Sequence, residues 1–390
     1  MRFLASIIIL SIYLNATGQQ LRIGIYNETN TKAVVFSVVQ GSYLMTCDNH
    51  AIQNIKTFEN VFISHEGDSV HCFMKNKDFG LYQSVRFNAM TDTGIFSLRS
   101  VDPAKTIKYF DGNLELSMKL GKLQTVNIVD IDKYLAGVVE SEGGYKAPLE
   151  YFKSQALLCR TYALSHLDRH TEEGFSLCDG VHCQAYNGRC SGTPFILKAS
   201  FDTRGLVVTD ADTAFITAAF HSNCGGETES AQNVWLIKKP YLKTIQDPYC
   251  QNQKNFHWEK KLSLDQWKQY LSGNGFKLKT DALPSSFNFV QYSRKQYYKL
   301  GEDSITFRKI RTDFNLHSAF FSVELKENNI ELHGRGYGHG VGLCQEGAMQ
   351  MAKLGYNFRE IIQFYFSGVN VTIFQNVPIE KNASLKLLKQ

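Results

Sequence analysis

Glycine occupies every second position from 334 to 342 in the stretch HGRGYGHGVGLCQEGA, residues 333–348. This spacing predicts an extended segment whose side chains alternate between two faces, with the glycines on one face and Arg335, Tyr337 and His339 on the other. A face of bare backbone lets another chain or a flat sugar ring approach closely. A phosphate-binding loop is excluded, because neither GxGxxG register fits and no GK[ST] follows. A tightly packed, bulged strand without chemistry is the alternative.

The pattern changes from strands to helices near residue 130. Short apolar runs separated by Asn, Asp, Gly and Lys clusters indicate a β-rich region from Leu21 to about Val129. Residues 130–142 predict a helix with an aspartate N-cap and a stop at two glycines. Apolar residues then recur at steps of three and four from Leu149 to Leu167, behind Pro148. The predicted fold class is α+β, with a β-rich N-terminal part and a mixed α/β part forming two lobes around a cleft.

Later segments complete the predicted architecture. Residues 205–220 predict a hairpin, 263–273 a surface helix, and 343–354 and 358–366 the last two helices. A length of 390 residues exceeds the usual single domain. We predict a β-rich region over 19–125, a mixed α/β region over 126–375 and a C-terminal tail over 376–390.

The N-terminus has the pattern of an export signal. One basic residue, an apolar run and the small residues Ala16-Thr17-Gly18 predict a signal peptide over 1–18. No later segment approaches the ~20 apolar residues that a membrane span needs. We therefore expect an exported protein, periplasmic or outside the cell, without a transmembrane segment. The net charge of +5 is spread along the chain, which disfavours a nucleic-acid-binding arm and is compatible with an acidic polymer.

The chain has nine cysteines, an odd number, so at least one is unpaired or bound to a metal. Cys159 and Cys344 lie in apolar helical patterns and are predicted to be buried free thiols. Cys224 and Cys250 are candidates for linking the segment between them, although spacing alone does not show that they are close in space.

Four blocks of the chain resemble, in the same order, the stage II sporulation protein D and amidase-enhancer family. They are YLAGVVESE, PLEYFKSQALLCRTYAL, FHSNCGGETESAQNVWLIKKPYLKTIQD and RGYGHGVGLCQEGAMQMAKLGYNFREIIQFYFSGV. The resemblance is strong over about residues 107–374 and looser over 21–106. It implies an enzyme that cleaves the glycan strands of peptidoglycan as a lytic transglycosylase.

The resemblance assigns the general acid to Glu142, which follows the GVV-x-x pattern. A carboxyl group at a helix end, with apolar residues on the preceding turns, would be partly desolvated and would keep its proton near neutral pH. Glu142 would protonate the leaving oxygen and then act as base on the muramyl C6 hydroxyl, giving a 1,6-anhydro end. Hydrolysis needs a second carboxylate, and Glu140 points to another side of the helix. The family usually continues Glu-Met-Pro where this chain has Glu142-Gly143-Gly144, which leaves the stiffness of this loop open.

Candidate substrate-binding residues come from the same region. His221 and Ser222 follow an apolar strand, but a Ser–His nucleophile pair is disfavoured because neighbours in an extended chain face opposite ways. Tyr337 is predicted to stack on a sugar ring, and His339 and Gln345 to donate or accept hydrogen bonds; packing around Glu142 is the alternative role. The full set of candidates is His221, Ser222, Tyr337, His339, Gln345, Gln184, Tyr186 and Arg160.

A metal site is also implied by the resemblance. Some relatives hold zinc with two histidines and two cysteines from one region, which here corresponds to His170, Cys178, His182 and Cys183. Zinc would fix the loop that carries Gln184 and Tyr186. A disulfide between Cys178 and Cys183, or between either and Cys190, is equally compatible with the spacing.

Two other functions stay open at this point. Amidase-enhancer members are regarded as non-hydrolytic modifiers that bind the cell wall or an amidase. A zinc amidase would use His170, His182 and one cysteine, with a water as the fourth ligand. The implied partners are therefore peptidoglycan glycan strands and, for the modifier, an amidase.

Overall fold

The structure is a computed structural model that describes residues 19–278, 284–378, 382 and 384. The predicted signal peptide over 1–18 lies outside the described residues, as do 379–381, 383 and 385–390 of the predicted C-terminal tail. Within the described ranges, every helix is too short or too polar to cross a bilayer.

The N-terminal part is β-rich, as predicted. Its strands are β1 Gln20–Ile25, β2 Ala33–Gln40, β3 Ser42–Cys47, β4 His50–Lys56, β5 Asn60–Glu66, β6 Ser69–Met74, β7 Lys77–Tyr82, β8 Ser84–Ala89, β9 Ile95–Asp102, β10 Lys108–Asp111, β11 Asn113–Lys119 and β12 Lys122–Asp130. One sheet has the order β1-β12-β11-β8-β3-β4, and the other has the order β10-β9-β2-β5-β6-β7. Burial alternates along the strands, as in β3, where Tyr43, Met45 and Cys47 point into the core.

The predicted helices are confirmed close to their expected boundaries. The helices of the structure are α1 Ile131–Gly143, α2 Leu149–Ser165, α3 Pro194–Asp202, α4 Ala231–Trp235, α5 Leu264–Gly273, α6 Phe307–Asp313, α7 Gln345–Lys353 and α8 Phe358–Tyr365, of which α3, α4 and α6 were not predicted. The Asp130 side chain caps α1 by accepting from two backbone N–H groups, and Gly144 ends this helix with a φ of +70°. Glu142 therefore lies in the last turn of α1.

The remaining strands are mostly short. They are β13 Leu177–Cys178, β14 Leu206–Thr209, β15 Phe220–His221, β16 His257–Ser263, β17 Tyr297–Leu300, β18 Asp303–Thr306, β19 Phe321–Lys326, β20 Asn329–Arg335, β21 Leu343–Cys344 and β22 Asn370–Ile373. The hairpin predicted over 205–220 is confirmed only at its turn, where an antiparallel bridge joins Thr209 to Phe215 and the Ile216 N–H donates to the Val208 carbonyl. The strands themselves pair elsewhere, β14 with β22 and β15 in parallel with β21.

Two separate hydrophobic cores organise the chain. The first contains residues of both N-terminal sheets and of α1, α2, α7 and α8. The second lies between Trp258 and Leu332, inside a segment that begins with β16 and ends with β20; we call residues 257–335 the insert. The boundary predicted near residue 125 falls inside β12, with residues of the first core on both sides of it. The fold is α+β.

The glycine-rich segment 334–342 does not form the regular extended strand that its spacing predicted. β20 ends at Arg335, and the even-numbered glycines from 336 to 342 have φ values between +74° and +112°, a region that only glycine adopts readily. A Cβ atom at Gly336 would lie 2.6 Å from the Asn223 carbonyl oxygen, and one at Gly342 would lie 2.2 Å from that of Ala219. The glycines therefore allow close packing against the protein's own chain.

Candidate active site

Glu142 is held in place by two contacts. One of its carboxylate oxygens accepts a hydrogen bond from the Ala185 backbone N–H at 3.0 Å. Its backbone carbonyl accepts one from Gln345 Nε2 at 3.3 Å. The side chain is half-buried. The contact with Ala185 fixes the direction of the carboxylate without removing it from solvent.

The Glu142 carboxyl lines an open groove of about 450 Å³. Two of the predicted substrate-binding residues, Gln184 and His339, line the same groove. Its other lining residues are Tyr162, Ser165, His166, Cys183, Phe215, Ile216, Thr217, Ala218, Ala219, Phe220 and Trp235. Among these described residues Glu142 is the only carboxylate. Glu140 on the same helix instead accepts from the backbone N–H groups of Ser191 and Gly192.

His339 is a neutral hydrogen-bonding group at neutral pH. Burial, with a smaller contribution from the Arg311 charge, lowers the pKa of His339 to about 4. Its Nδ1 accepts from the Val341 N–H at 3.0 Å, which leaves the hydrogen of the neutral ring on Nε2. The ring lies 5.2 Å from that of Trp235, measured between centroids. This pair presents a donor beside an aromatic surface.

His221 and Ser222 lie behind the groove wall instead of lining it. His221 is buried, its Nδ1 hydrogen-bonds the Val341 carbonyl at 3.1 Å, and its Nε2 has no partner among the described residues. Burial lowers the pKa of His221 well below its usual value. Ser222 is half-buried, and its carbonyl accepts from the Glu346 N–H.

Gln345 and Tyr337 have different surroundings. Gln345 is buried and reaches the backbone of Glu142, so it joins the start of α7 to the end of α1. Tyr337 is 43% exposed and packs edge-on against His317, with 4.8 Å between ring centroids. It does not line the groove that contains Glu142.

The structure corrects two predicted substrate-binding residues, because neither reaches solvent. Arg160 is 1% exposed and forms a 2.7 Å ion pair with Asp132, together with hydrogen bonds to carbonyl groups around α3. Tyr186 is 1% exposed, and its hydroxyl donates to the Asn127 side chain. Both side chains pack the helices and the sheet behind the groove, a role that a sequence block alone does not distinguish from substrate contact.

Trp235 is a groove residue that sequence reasoning missed. It stands at the end of α4, whose first turn is capped by the Ser230 side chain. The signal was present, because a single tryptophan follows a serine-capped turn within the third family block. What the sequence could not show was that the end of this short helix lines the same groove as Glu142.

Four predicted metal ligands come together next to the groove. His170, Cys178, His182 and Cys183, which we call the His/Cys cluster, place one ligand atom each within 4.8 Å of the others. Cys183 Sγ lies 3.4 Å from His170 Nε2 and 3.8 Å from His182 Nδ1. A hydrogen bond from Cys178 lowers the pKa of the Cys183 thiol to about 6.

The surroundings of the His/Cys cluster also suit a metal. The Glu173 carboxylate accepts from His170 Nδ1, which turns Nε2 of that ring towards the cysteines, an arrangement common around bound zinc. Cys190 is not part of the cluster, since its sulfur lies beside Glu140 and Thr193. All nine cysteines, including the predicted buried thiols Cys159 and Cys344, are free.

Comparisons with known proteins found several related sequences. A profile described as stage II sporulation protein matches residues 119–209. The chain is 29% identical over 259 residues to an uncharacterized protein of Brachyspira hyodysenteriae, covering 65% of this chain and 70% of that protein. It is 28% identical over 265 residues to stage II sporulation protein D of Bacillus subtilis, covering 64% and 76%.

A further relative is the amidase enhancer of Bacillus subtilis, which is 26% identical over 293 residues. That alignment covers 62% of this chain but only 40% of the amidase enhancer. The predicted resemblance to the stage II sporulation protein D and amidase-enhancer family is confirmed by these matches together.

Proposed function

We propose that this protein is exported and cleaves the glycan strands of peptidoglycan as a lytic transglycosylase, with Glu142 as general acid and then general base. The observation that carries the proposal is the position of Glu142, whose carboxyl lines an open groove together with Gln184, Trp235 and His339. Because Glu142 is the only carboxylate among the described groove residues, a mechanism that needs one acidic residue fits better than two-carboxylate hydrolysis.

The reaction has two proton transfers. The Glu142 carboxylic acid first donates its proton to the bridging oxygen, so that the glycosidic bond breaks while positive charge develops at the muramyl C1. The resulting carboxylate then removes the proton of the C6 hydroxyl, whose oxygen forms the new bond to C1. The product carries a 1,6-anhydro ring, Glu142 regains its proton, and no water is consumed.

The other groove residues would bind and orient the sugars. The Ala185 N–H holds the carboxylate at 3.0 Å, which limits the directions from which it can meet the bridging oxygen. Gln184 and His339 line the groove, so we propose that their side chains hydrogen-bond hydroxyl or acetamido oxygens of the sugars. Trp235 offers an aromatic face for a sugar ring. We propose that this groove is the cleft between two lobes.

The His/Cys cluster fits a structural zinc ion. Two cysteine sulfurs and two histidine nitrogens match its preferred ligands, and a site filled by all four has no open position for a reacting water. Zinc would supply rigidity here by tying together the loop that ends at Gln184 and Ala185. This favours a structural role over a zinc amidase, whose metal must keep one ligand position for water.

A modifier role is the second candidate, because the amidase enhancer of Bacillus subtilis is among the relatives. Such a protein would bind the cell wall or an amidase and leave glycan strands intact. In both cases the substrate or partner lies outside the cytoplasm, which fits the predicted signal peptide over residues 1–18.

A digest of purified glycan strands tests the proposal. The wild-type protein should release 1,6-anhydromuramyl products, and Glu142→Gln should lower kcat at least about 10³-fold, because the amide cannot give up a proton. Glu140→Gln is the matched control, since Glu140 lies on the same helix but outside the groove; it should retain activity. Equal product release by wild type and Glu142→Gln would remove Glu142 from the mechanism, and no release by the wild type would favour the modifier.

A further inference from the structure

A second group of metal-binding side chains lies away from the groove. Cys224, Asp247, Cys250 and Cys344 each place one ligand atom within 4.8 Å of the others. Their side chains are completely buried. We call this group the thiol cluster. It shares no residue with the His/Cys cluster and does not line the groove.

Asp247 is the most unusual member, because a buried carboxylate needs compensation for the water it loses. It accepts hydrogen bonds from the Tyr365 hydroxyl at 2.9 Å, from the Cys224 thiol at 3.2 Å and from the Tyr249 N–H at 2.9 Å. Among the described residues no lysine, arginine or histidine forms an ion pair with it. A cation at the centre of the thiol cluster would provide the missing positive charge.

The three sulfur atoms are also placed as metal ligands. Cys224 Sγ lies 3.4 Å from Cys250 Sγ, near the ~3.8 Å that separates two sulfurs bound to one tetrahedral zinc ion. The Cys224 N–H donates to the sulfur of Cys344 at 3.3 Å, and the Gly226 N–H donates to that of Cys250 at 3.2 Å. Such donors stabilise thiolates that bind metals.

A buried arginine lies beside the thiol cluster. Arg294 reaches in from the insert, its side chain is 4% exposed, and its Nη1 pairs with the Glu229 carboxylate at 4.0 Å. Its Nη2 donates to the Cys224 carbonyl at 2.7 Å, and its Nε donates to the Glu227 carbonyl at 2.7 Å. The thiol cluster therefore has a buried positive charge beside it.

We propose that the thiol cluster is a second metal site, in which Cys224, Cys250, Cys344 and Asp247 bind one structural zinc ion. Three thiolates and one carboxylate in a closed tetrahedral set suit zinc and leave no position for substrate. The ion would join the segment that follows β15, the loop around residues 247–250 and the end of β21. His221 lies at the end of β15 and Gln345 directly follows β21, so the metal would stiffen the chain next to both residues.

Metal analysis of the purified full chain tests this proposal without measuring activity. The wild-type chain should hold two zinc ions, and a His182→Ala, Cys183→Ser double variant should keep one. Adding Asp247→Asn or Cys344→Ser to that background should remove the remaining ion. Cys159→Ser, which changes a buried thiol outside both clusters, is the matched control and should retain it.

A second measurement uses the folded double variant, so it does not depend on whether the Asp247 and Cys344 variants fold. Cobalt added to the folded double variant should give the near-ultraviolet absorption of cobalt–thiolate bonds, and alkylation should reach Cys224, Cys250 and Cys344 only after a chelator is added. A Cys224–Cys250 disulfide, seen as the loss of two hydrogens from the linked peptides, would overturn the proposal. So would a double variant that binds no zinc or cobalt.

Discussion

The two walls of the groove differ in how much of the chain is needed to build them. The helical wall consists of the end of α1 and the loop after the His/Cys cluster, so Glu142 and Ala185 are contributed by one stretch of sequence. The opposite wall consists of the segment 215–220, Trp235 and His339. Contacts behind it join residues such as His221 and Val341, which are 120 positions apart.

This difference also separates two kinds of chemistry. The helical wall carries the only carboxylate among the described groove residues, whereas the opposite wall carries neutral donors and an aromatic ring. We therefore expect changes on the helical wall to affect proton transfer or folding, and changes on the opposite wall to affect sugar binding. The following predictions test that division, from the largest expected effect to the smallest.

The largest effect on stability should come from Arg160, behind the helical wall. Arg160→Met removes one partner of a buried ion pair and should lower the free energy of unfolding by about 3–5 kcal/mol. Arg204→Met is the matched control, because Arg204 pairs with the same Asp132 but is half-exposed, and it should cost less than about 1 kcal/mol. Denaturant unfolding measures both. A raised KM in Arg160→Met with unchanged stability would restore the predicted role in substrate binding.

Removing metal from the helical wall should have the next largest effect. A chelator, or Cys183→Ser, should lower the melting temperature by about 5 °C or more, because the loop from 178 to 185 loses its cross-link. In contrast, Cys190→Ser should leave the melting temperature and the zinc content nearly unchanged, since Cys190 lies outside the cluster. An effect of equal size in both variants would argue for a disulfide that includes Cys190.

Trp235 tests the opposite wall. Trp235→Ala should raise KM for glycan strands about 3- to 10-fold, the equivalent of about 0.5–1.5 kcal/mol of aromatic contact, with little change in kcat. Trp235→Phe should recover most of this loss because it keeps an aromatic face. Steady-state kinetics on strands of defined length would show whether KM or kcat changes. A fall in kcat with KM unchanged would place Trp235 in the chemical step instead.

The smallest effect concerns pH and His339. Because the folded state holds the pKa of His339 at about 4, below its ordinary value of about 6.5, the unfolded chain takes up a proton first as the pH falls. This contribution to stability is therefore present above pH 6.5 and is lost between about pH 6.5 and pH 4. The melting temperature should fall across that range, and His339→Gln should make the fall shallower. An equally steep fall in His339→Gln would assign the effect to other groups, including His221.

Local signals explain why the helices were predictable. The Asp130 cap, the stop at Gly144 and the apolar stripe behind Pro148 act within a few residues, and they place the ends of α1 and α2 close to the predicted positions. The same signals place Glu142 at a helix end. The assignment of Glu142 as the acid came from the family resemblance instead.

The predictions that differ from the structure share a different cause, which is contact between distant parts of the chain. The hairpin predicted over 205–220 is limited to the turn between Thr209 and Phe215, because β14 and β15 pair with chain segments more than 100 residues further on. The alternating glycines predicted an extended strand. In the structure the φ angles of Gly336 to Gly342 are positive at the even positions, where another part of the chain, near Asn223, packs closely against them. Such long-range contacts do not appear in any local window of sequence.

The insert leaves and re-enters the main body at adjacent points, since His257 on β16 pairs with Arg335 on β20. A segment whose two ends are adjacent can differ in length or sequence without displacing the chain on either side of it. Such changes must preserve Arg294, because this residue of the insert hydrogen-bonds backbone carbonyls in the main body. Relatives therefore have room to change the length of the insert while they keep the groove around Glu142.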